Sequence, residues 1–266
     1  MTEFPRARKR FGQHFLEPAW VARLIASLHA SPDDTFLEIG PGRGALTRPL
    51  APLVRRLIAV EIDRDLAQRL AADLTGHARI VEGDFLEADL DDLLRDEAKP
   101  VRVVGNLPYN VSSPILFKLL HAADDGRRFA DATLMLQKEV ADRLVATPGA
   151  GDYGVLAVQV ALLADVERVL TLPPGAFRPP PKVTSAVVRL RFHPPSADPG
   201  NRATFERIVR GVFLQRRKTL ANALKPVAHT LGADAAEMID QAGLAAGRRP
   251  ETLTVEEFAR LSRAVL

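Results

Sequence analysis

From Thr35 to about Phe192 the chain alternates short apolar runs with amphipathic stretches, and few folds accommodate that pattern. The runs at residues 35–39, 57–60, 78–81, 101–104 and 132–136 have the length of strands. The stretches between them repeat apolar residues at helical spacing, as in Leu66, Leu70 and Leu74. Such a chain buries its strands in a sheet with helices on both faces, so the predicted class is α/β and Rossmann-like. Runs at 166–170 and 185–192 read as two further strands flanking a proline-rich loop. The segment His193-Pro194-Pro195-Ser196-Ala197-Asp198-Pro199-Gly200 has linker composition, and helical patterning follows it to the end. The expected organisation is therefore a sheet domain over 1–192 with a basic N-terminal segment, a linker over 193–200 and a small helical domain over 201–266. At 266 residues and 47% hydrophobic, the chain is long enough for both cores.

The strand over 35–39 runs into Gly40-Pro41-Gly42-Arg43-Gly44-Ala45 and then a predicted helix, so backbone amides and a helix N-terminus face whatever binds there. The next strand ends at Val60, and Glu61 stands about 20 residues beyond Gly40, where a carboxylate accepts from ribose hydroxyls. Loop and carboxylate together predict an adenosine-containing cofactor. They do not choose between a nicotinamide dinucleotide and S-adenosylmethionine, since Gly40-x-Gly42-x-x-Ala45 satisfies both. Asp84, in Glu82-Gly83-Asp84-Phe85 after the third strand, can accept from an adenine amino group; an N-cap or turn role explains it equally well.

The strand over 101–104 ends in Gly105-Asn106-Leu107-Pro108-Tyr109-Asn110, at the sheet edge where open α/β folds place ligands. An exocyclic adenine amine has its lone pair delocalised into the ring, so attack on a sulfonium methyl requires two acceptors that draw the amine toward tetrahedral geometry. The Asn106 side-chain oxygen and the Pro108 carbonyl are candidates for those acceptors, and Tyr109 for stacking on the base. Positioning rather than a strong base would dominate such a reaction. The competing reading is a proline turn with a buried tyrosine.

Zero cysteines exclude disulfides, thiolate zinc sites and the cysteine-ligated cluster of radical enzymes, so methyl chemistry here would be polar. The histidines show no metal-ligand spacing, and no metal is expected. No apolar run approaches the roughly 18 residues of a membrane span, and the beginning of the sequence lacks a signal-peptide core, so a cytoplasmic protein without membrane association is expected.

The chain resembles the KsgA family of small-subunit ribosomal RNA adenine dimethyltransferases, relatives of the erythromycin-resistance methyltransferases. The resemblance spans nearly the whole sequence. It rests on Arg10-Phe11-Gly12-Gln13-His14-Phe15-Leu16, Glu38-Ile39-Gly40-Pro41-Gly42, Asn106-Leu107-Pro108-Tyr109-Asn110, Leu136-Gln137-Lys138-Glu139-Val140, Phe177-Arg178-Pro179-Pro180-Pro181-Lys182-Val183 and Gln215-Arg216-Arg217-Lys218-Thr219. It implies a class I S-adenosylmethionine-dependent fold, with His14, Leu16, Gly40, Gly42, Glu61, Asp84 and Asn106 toward the methyl donor. His14 stands where the family often has asparagine. The resemblance also implies that Phe177 closes over the target base opposite Tyr109; residue type alone favours a core aromatic. The implied substrate is a pair of adjacent adenosines in small-subunit rRNA, met within a pre-30S particle.

Basic clusters at Arg6-Ala7-Arg8-Lys9-Arg10, Arg216-Arg217-Lys218 and Arg248-Arg249 lie outside the alternating region and suit phosphate contacts, against the ordinary alternative of a solvated face. The net charge is only +3, so their placement matters more than the total. A base in a duplex hides its amine, and the target must be unpaired or flipped, held between Tyr109 and Phe177. A monomer is expected. Rival readings are a large-subunit RNA methyltransferase of the resistance type, an RNA-binding assembly factor with dispensable catalysis, and a dehydrogenase.

Overall fold

The computed structural model describes residues 15–74, 76, 78–123 and 128–265. His14, Arg8, Lys9 and Arg10 lie outside them. The chain divides into two compact units, one of residues 1–141 with 167–192 and one of 142–166 with 193–266.

In the first unit, β1 (Phe15–Leu16) and α1 (Pro18–Leu28) precede the sheet, whose strands β2 (Thr35–Ile39), β3 (Arg56–Glu61), β4 (Arg79–Glu82), β5 (Val101–Asn106) and β6 (Phe129–Gln137) fall on the five apolar runs. Between them stand α2 (Thr47–Leu50), α3 (Arg64–Asp73), α4 (Leu90–Leu93) and α5 (Ser112–Ala122), and α6 (Lys138–Leu144) and α7 (Val155–Leu163) follow. The later strands are β7 (Ala164–Leu172), β8 (Phe177–Arg178) and β9 (Ser185–Phe192). The seven-stranded sheet runs β4-β3-β2-β5-β6-β9-β7. Strands β2 to β6 are mutually parallel where they pair, and β9 is antiparallel to β6. Parallel strands covered on both faces are buried along their length and mostly apolar. All five residues of β2 are buried, as are all but the first of β3.

The chain leaves β2 toward β3 on one side, and β5 occupies the other, so strand order reverses between β2 and β5. A crevice opens at such a point, outside the carboxyl ends of the strands. Ile39 of β2 faces Gly105 of β5 in register, and a Cβ on Gly105 would stand 2.9 Å from the Ile39 carbonyl oxygen and 3.0 Å from the Leu107 side chain. Only glycine lets the two strand ends approach this closely. The helix expected after the glycine loop is a single four-residue turn, α2, continued by a 3-10 turn over Ala51–Leu53. Pro52 explains why the α-helix does not continue, because a proline beyond the first turn removes a donor and clashes with the preceding turn.

β1 and β8 form a separate two-stranded ribbon, with Leu16 opposite Phe177 and Phe15 opposite Arg178. Strands of two residues lie below what periodicity detects.

The second unit contains α8 (Arg202–Phe213), α9 (Leu220–Thr230), α10 (Ala235–Gln241) and α11 (Val255–Arg263). These helices follow capping signals: the Asn201 side chain accepts from the Thr204 amide, that of Asp234 from Ala236 and Glu237, and Thr254 with Glu257 forms a reciprocal capping box. The core includes Phe205, Ile208, Leu224, Phe258 and Leu261. Residues 142–166, including α7, belong with these helices rather than with the sheet domain expected over 1–192, because α7 packs against α8 and α11. The segment 193–200 is also part of this unit: the His193 and Ser196 amides donate to the Leu163 and Leu162 carbonyls, and Ala197 is buried.

Candidate active site

A cleft at the carboxyl ends of β2, β3 and β5 is lined by Leu16, Gly40, Gly42, Glu61, Asn106, Pro108 and Tyr109, all expected at the site, together with Phe15, Glu38, Leu46, Ile62, Leu107 and Met135. The sheet brings these residues together from widely separated stretches of sequence.

The acidic end of the cleft is built on backbone amides. Gly42 has φ of +58°, a conformation costly for a side-chain-bearing residue, and this turns its N–H onto Glu61 Oε2 at 2.8 Å. Glu61 Oε1 accepts from the Asp63 amide at 2.8 Å. Burial raises the Glu61 pKa, and the amide donors of Asp63 and Gly42 partly oppose the shift. Each carboxylate oxygen keeps a lone pair, so ribose hydroxyls can still be accepted.

Glu38 is a finding that sequence reasoning passed over as part of a strand. It is 1% exposed, Oε2 has no hydrogen-bond partner, and the side chain lines the cleft. Burial, aided by the nearby Glu61, pushes its pKa up to about 8, with Thr47 opposing. A charged residue inside an otherwise apolar strand was the available signal. Ile62, 50% exposed directly after Glu61, is a second such residue, an apolar side chain at the mouth that could cover a ring. Phe15 is a third: the Arg43 guanidinium stands 4.0 Å over its ring, and a Cβ on Gly42 would lie 3.5 Å from the ring edge.

On the opposite side, Asn106 ends β5 and Pro108 and Tyr109 lead into α5. The Pro108 carbonyl accepts from the Val111 amide at 3.1 Å, which fixes its direction and leaves a second lone pair. The Tyr109 hydroxyl is 2.7 Å from Ser185 Oγ, and burial raises its pKa, with Ser185 opposing. Ser185 itself is fully buried at the start of β9, so the tyrosine ring is held at its far end.

Two expected residues stand apart from the lining. Asp84 lies in the loop after β4; its Oδ1 accepts from the Leu86 amide at 2.8 Å and its carbonyl from the Glu87 and Ala88 amides. This is the turn geometry weighed as its alternative role. The loop hangs beside Glu61, because the Gly83 amide donates to the Glu61 carbonyl at 2.9 Å. Phe177 is 1% exposed and packs in the core with Leu16, Leu24, Met135 and Val187. From this position it lies directly behind Leu16 and Met135, which line the cleft.

The basic residues of the second unit divide. Arg216 Nε is 2.5 Å from Glu251 Oε2 and its Nη2 donates to the Ala150 carbonyl, while Arg248 pairs with Glu257 and donates to Thr252. Arg217, Lys218 and Arg249 are exposed. Among the described residues no group of three or more acidic or histidine side chains could hold a metal, and no helix is long and apolar enough to cross a membrane.

The doubly wound sheet, its inserted antiparallel strand and the cleft combining a glycine loop, paired carboxylates and Asn106-Leu107-Pro108-Tyr109 define a Rossmann-like methyltransferase. The family model described as ribosomal RNA adenine dimethylase matches residues 5–265, and the chain belongs to that family. Curated proteins called ribosomal RNA small subunit methyltransferase A are similar: that of Geobacter metallireducens is 47% identical, covering 98% of this chain and 96% of its own. That of Chromobacterium violaceum is 46% identical, covering 96% and 94%. Among solved structures, a dimethyladenosine transferase from Plasmodium falciparum superposes with a TM-score of 0.75 at 26% identity, covering 93% of this chain and 96% of that one. The 23S rRNA methyltransferase ErmE superposes at 0.65 with 30% identity, covering 94% and 99%.

Proposed function

We propose that the protein uses S-adenosylmethionine to dimethylate N6 of two adjacent adenosines near the 3′ end of 16S rRNA, acting as a cytoplasmic monomer on a pre-30S particle. The observation that carries the reading is the sharing of one cleft by Asn106, Pro108 and Tyr109 with Gly40, Gly42 and Glu61. The cleft fits the donor: the buried Glu61 carboxylate, beside the buried Glu38 carboxyl whose Oε2 lacks a partner, suits a ligand bearing ribose hydroxyls. When bound, S-adenosylmethionine supplies an electrophilic methyl carbon and departs as a neutral thioether.

Glu61 holds the ribose, the Gly40–Gly42 loop and the Leu16 backbone close on the donor, and Asp84 meets its adenine from the neighbouring loop. Asn106 Oδ1 and the free lone pair of the Pro108 carbonyl accept hydrogen bonds from the two N6 protons in the first transfer, and one of them from the single N6 proton left in the second. With the donor bound, these acceptors would stabilise the nitrogen as it pyramidalises toward the methyl carbon, the sulfur would keep the pair of its broken S–C bond, and the surplus N6 proton would pass to solvent. Tyr109 stacks on the base with its hydroxyl tied to Ser185, so its ring is pre-oriented. Phe177 shapes this side of the site from the core, and Arg217, Lys218 and Arg249 with the N-terminal Arg8, Lys9 and Arg10 contact phosphates.

The deciding experiment maps methyl groups on ribosomal RNA from cells with and without the protein. Loss of two dimethyladenosines from the small-subunit RNA is expected. Unmethylated large-subunit RNA in the deleted strain, with unaltered small-subunit RNA, would instead favour the resistance-type reading that the similarity to ErmE keeps in view.

A further inference from the structure

The loop after β4 presents Asp84 without a regular element to hold it, yet its conformation is closely specified. Residues 85–87 form a turn, and Lys118 of α5 reaches across to it. Lys118 Nζ donates to the Leu86 carbonyl at 2.9 Å and to the Ala88 carbonyl at 2.6 Å, and stands 5.4 Å from the centroid of the buried Phe85 ring. Asp84 and Asp89, at either end of the turn, both act on the ammonium electrostatically. A charge-assisted donor shared between two carbonyls is stronger than a neutral hydrogen bond, and the ring face adds a further attraction.

The other end of α5 is anchored to the acceptor side of the cleft. The Val111 amide donates to the Pro108 carbonyl, and Ser112 Oγ to the Tyr109 carbonyl at 3.2 Å. One rigid helix of 11 residues therefore carries the Asn106–Tyr109 exit at its start and the clamp on the Asp84 loop two turns later.

We propose that Lys118 is a positioning residue for the methyl donor: its ammonium clamps the Leu86 and Ala88 carbonyls and so holds the Asp84 carboxylate at the distance from the Asn106–Tyr109 segment that the donor must span. The inference rests on Asp84 being a donor contact. Lys118 touches neither donor nor base in this scheme, and acts through the loop alone.

Calorimetry of S-adenosylmethionine and S-adenosylhomocysteine binding to the full chain tests it, with Lys118→Met, Lys118→Arg, Asp84→Asn and the Lys118→Met/Asp84→Asn double variant. Lys118→Met is expected to weaken both ligands about 5- to 20-fold, within the span of a charge-assisted hydrogen bond, while the single-turnover rate at saturating donor stays within about twofold. Lys118→Arg should restore most of the affinity. Because Lys118 acts through Asp84, the double variant should bind no more weakly than Asp84→Asn alone. Hydrogen exchange at the Leu86, Glu87 and Ala88 amides should speed up in Lys118→Met, and Lys118→Gln, able to serve one carbonyl, replaces it should the Met variant not fold. Weakened binding in Asp84→Asn with wild-type affinity in Lys118→Met, or additive losses in the double variant, overturns the clamp while leaving Asp84 as a donor contact. Wild-type affinity in Asp84→Asn removes that contact, and the clamp's role with it.

Discussion

The cleft and the basic segments of the helical unit use charge in opposite ways. Glu38 and Glu61 are buried, and what holds Glu61 is backbone: amides of Gly42 and Asp63 whose direction is set by strand ends. Arg216 and Arg248 lie near the surface, and what holds them is side chain: Glu251 and Glu257. A carboxylate held by amides remains an acceptor for a ligand, whereas an arginine held by a carboxylate is neutralised locally and offers a phosphate much less. Function in the cleft thus follows from where the sheet places a residue, and function on the helical unit from which cations the fold has left uncommitted.

The largest test of the cleft side is Asn106→Ala. Loss of an acceptor that strengthens toward the transition state should lower the saturated single-turnover rate by about 100- to 1,000-fold, the range for removing one pre-organised hydrogen-bonding group, with the fold retained. A rate within a few fold of wild type would return the segment to a structural turn and dissolve the contrast. Glu38 comes next. Its pKa in the folded protein, about 8, lies above the ordinary glutamate value of 4.5, so between those values the folded state binds a proton that the unfolded state has lost. Stability contributed by this group is complete below about pH 4.5 and falls as pH rises through 8, by up to about 1.4 kcal/mol per pH unit. Glu38→Gln should flatten that decline in denaturant titrations from pH 5 to 8. An identical pH dependence in the variant would mean the carboxyl is already ionised in the folded protein. Glu61→Ala should weaken donor binding by about 1.5–3 kcal/mol, read by calorimetry, and undiminished affinity would remove the ribose contact.

Strand ends were legible in sequence for a physical reason. Residues 35–39 and 185–192 coincide with β2 and β9 to the residue: β2 is buried throughout and stops at the glycine loop, and β9 runs from the end of the proline-rich loop to His193-Pro194-Pro195. The positions of Gly40, Glu61 and Asn106 follow directly. What escaped were features made by contact between distant segments. The two-residue ribbon of β1 with β8 has no periodicity of its own, and it forms only where residues 15–16 and 177–178 meet. The transfer of 142–166 to the helical unit depends on the faces of α8 and α11. Arg216 and Arg217 are adjacent in one basic run and indistinguishable there; Glu251, 35 residues away, separates them.

That separation supplies the smallest test and the one most specific to the comparison. Arg216 bridges Glu251 and the Ala150 carbonyl with its side chain 35% exposed, so solvent screens the pair and its loss should cost only about 1 kcal/mol of stability. Arg217 and Lys218 are exposed, and replacing them should leave stability within about 0.5 kcal/mol of wild type. RNA binding should show the reverse order. Every phosphate left without its cation reduces the slope of log affinity against log salt by about 0.7 to 0.9, so Arg217→Ala/Lys218→Ala should flatten the slope by about one to two, and Arg216→Ala by much less. Thermal unfolding and salt-dependent RNA binding measured on the same two variants settle the assignment. If Arg216→Ala flattened the salt slope as much as the double variant and left unfolding unchanged, the Glu251 pair would be one that RNA displaces. The cations of the helical unit would then be selected by the substrate rather than by the fold.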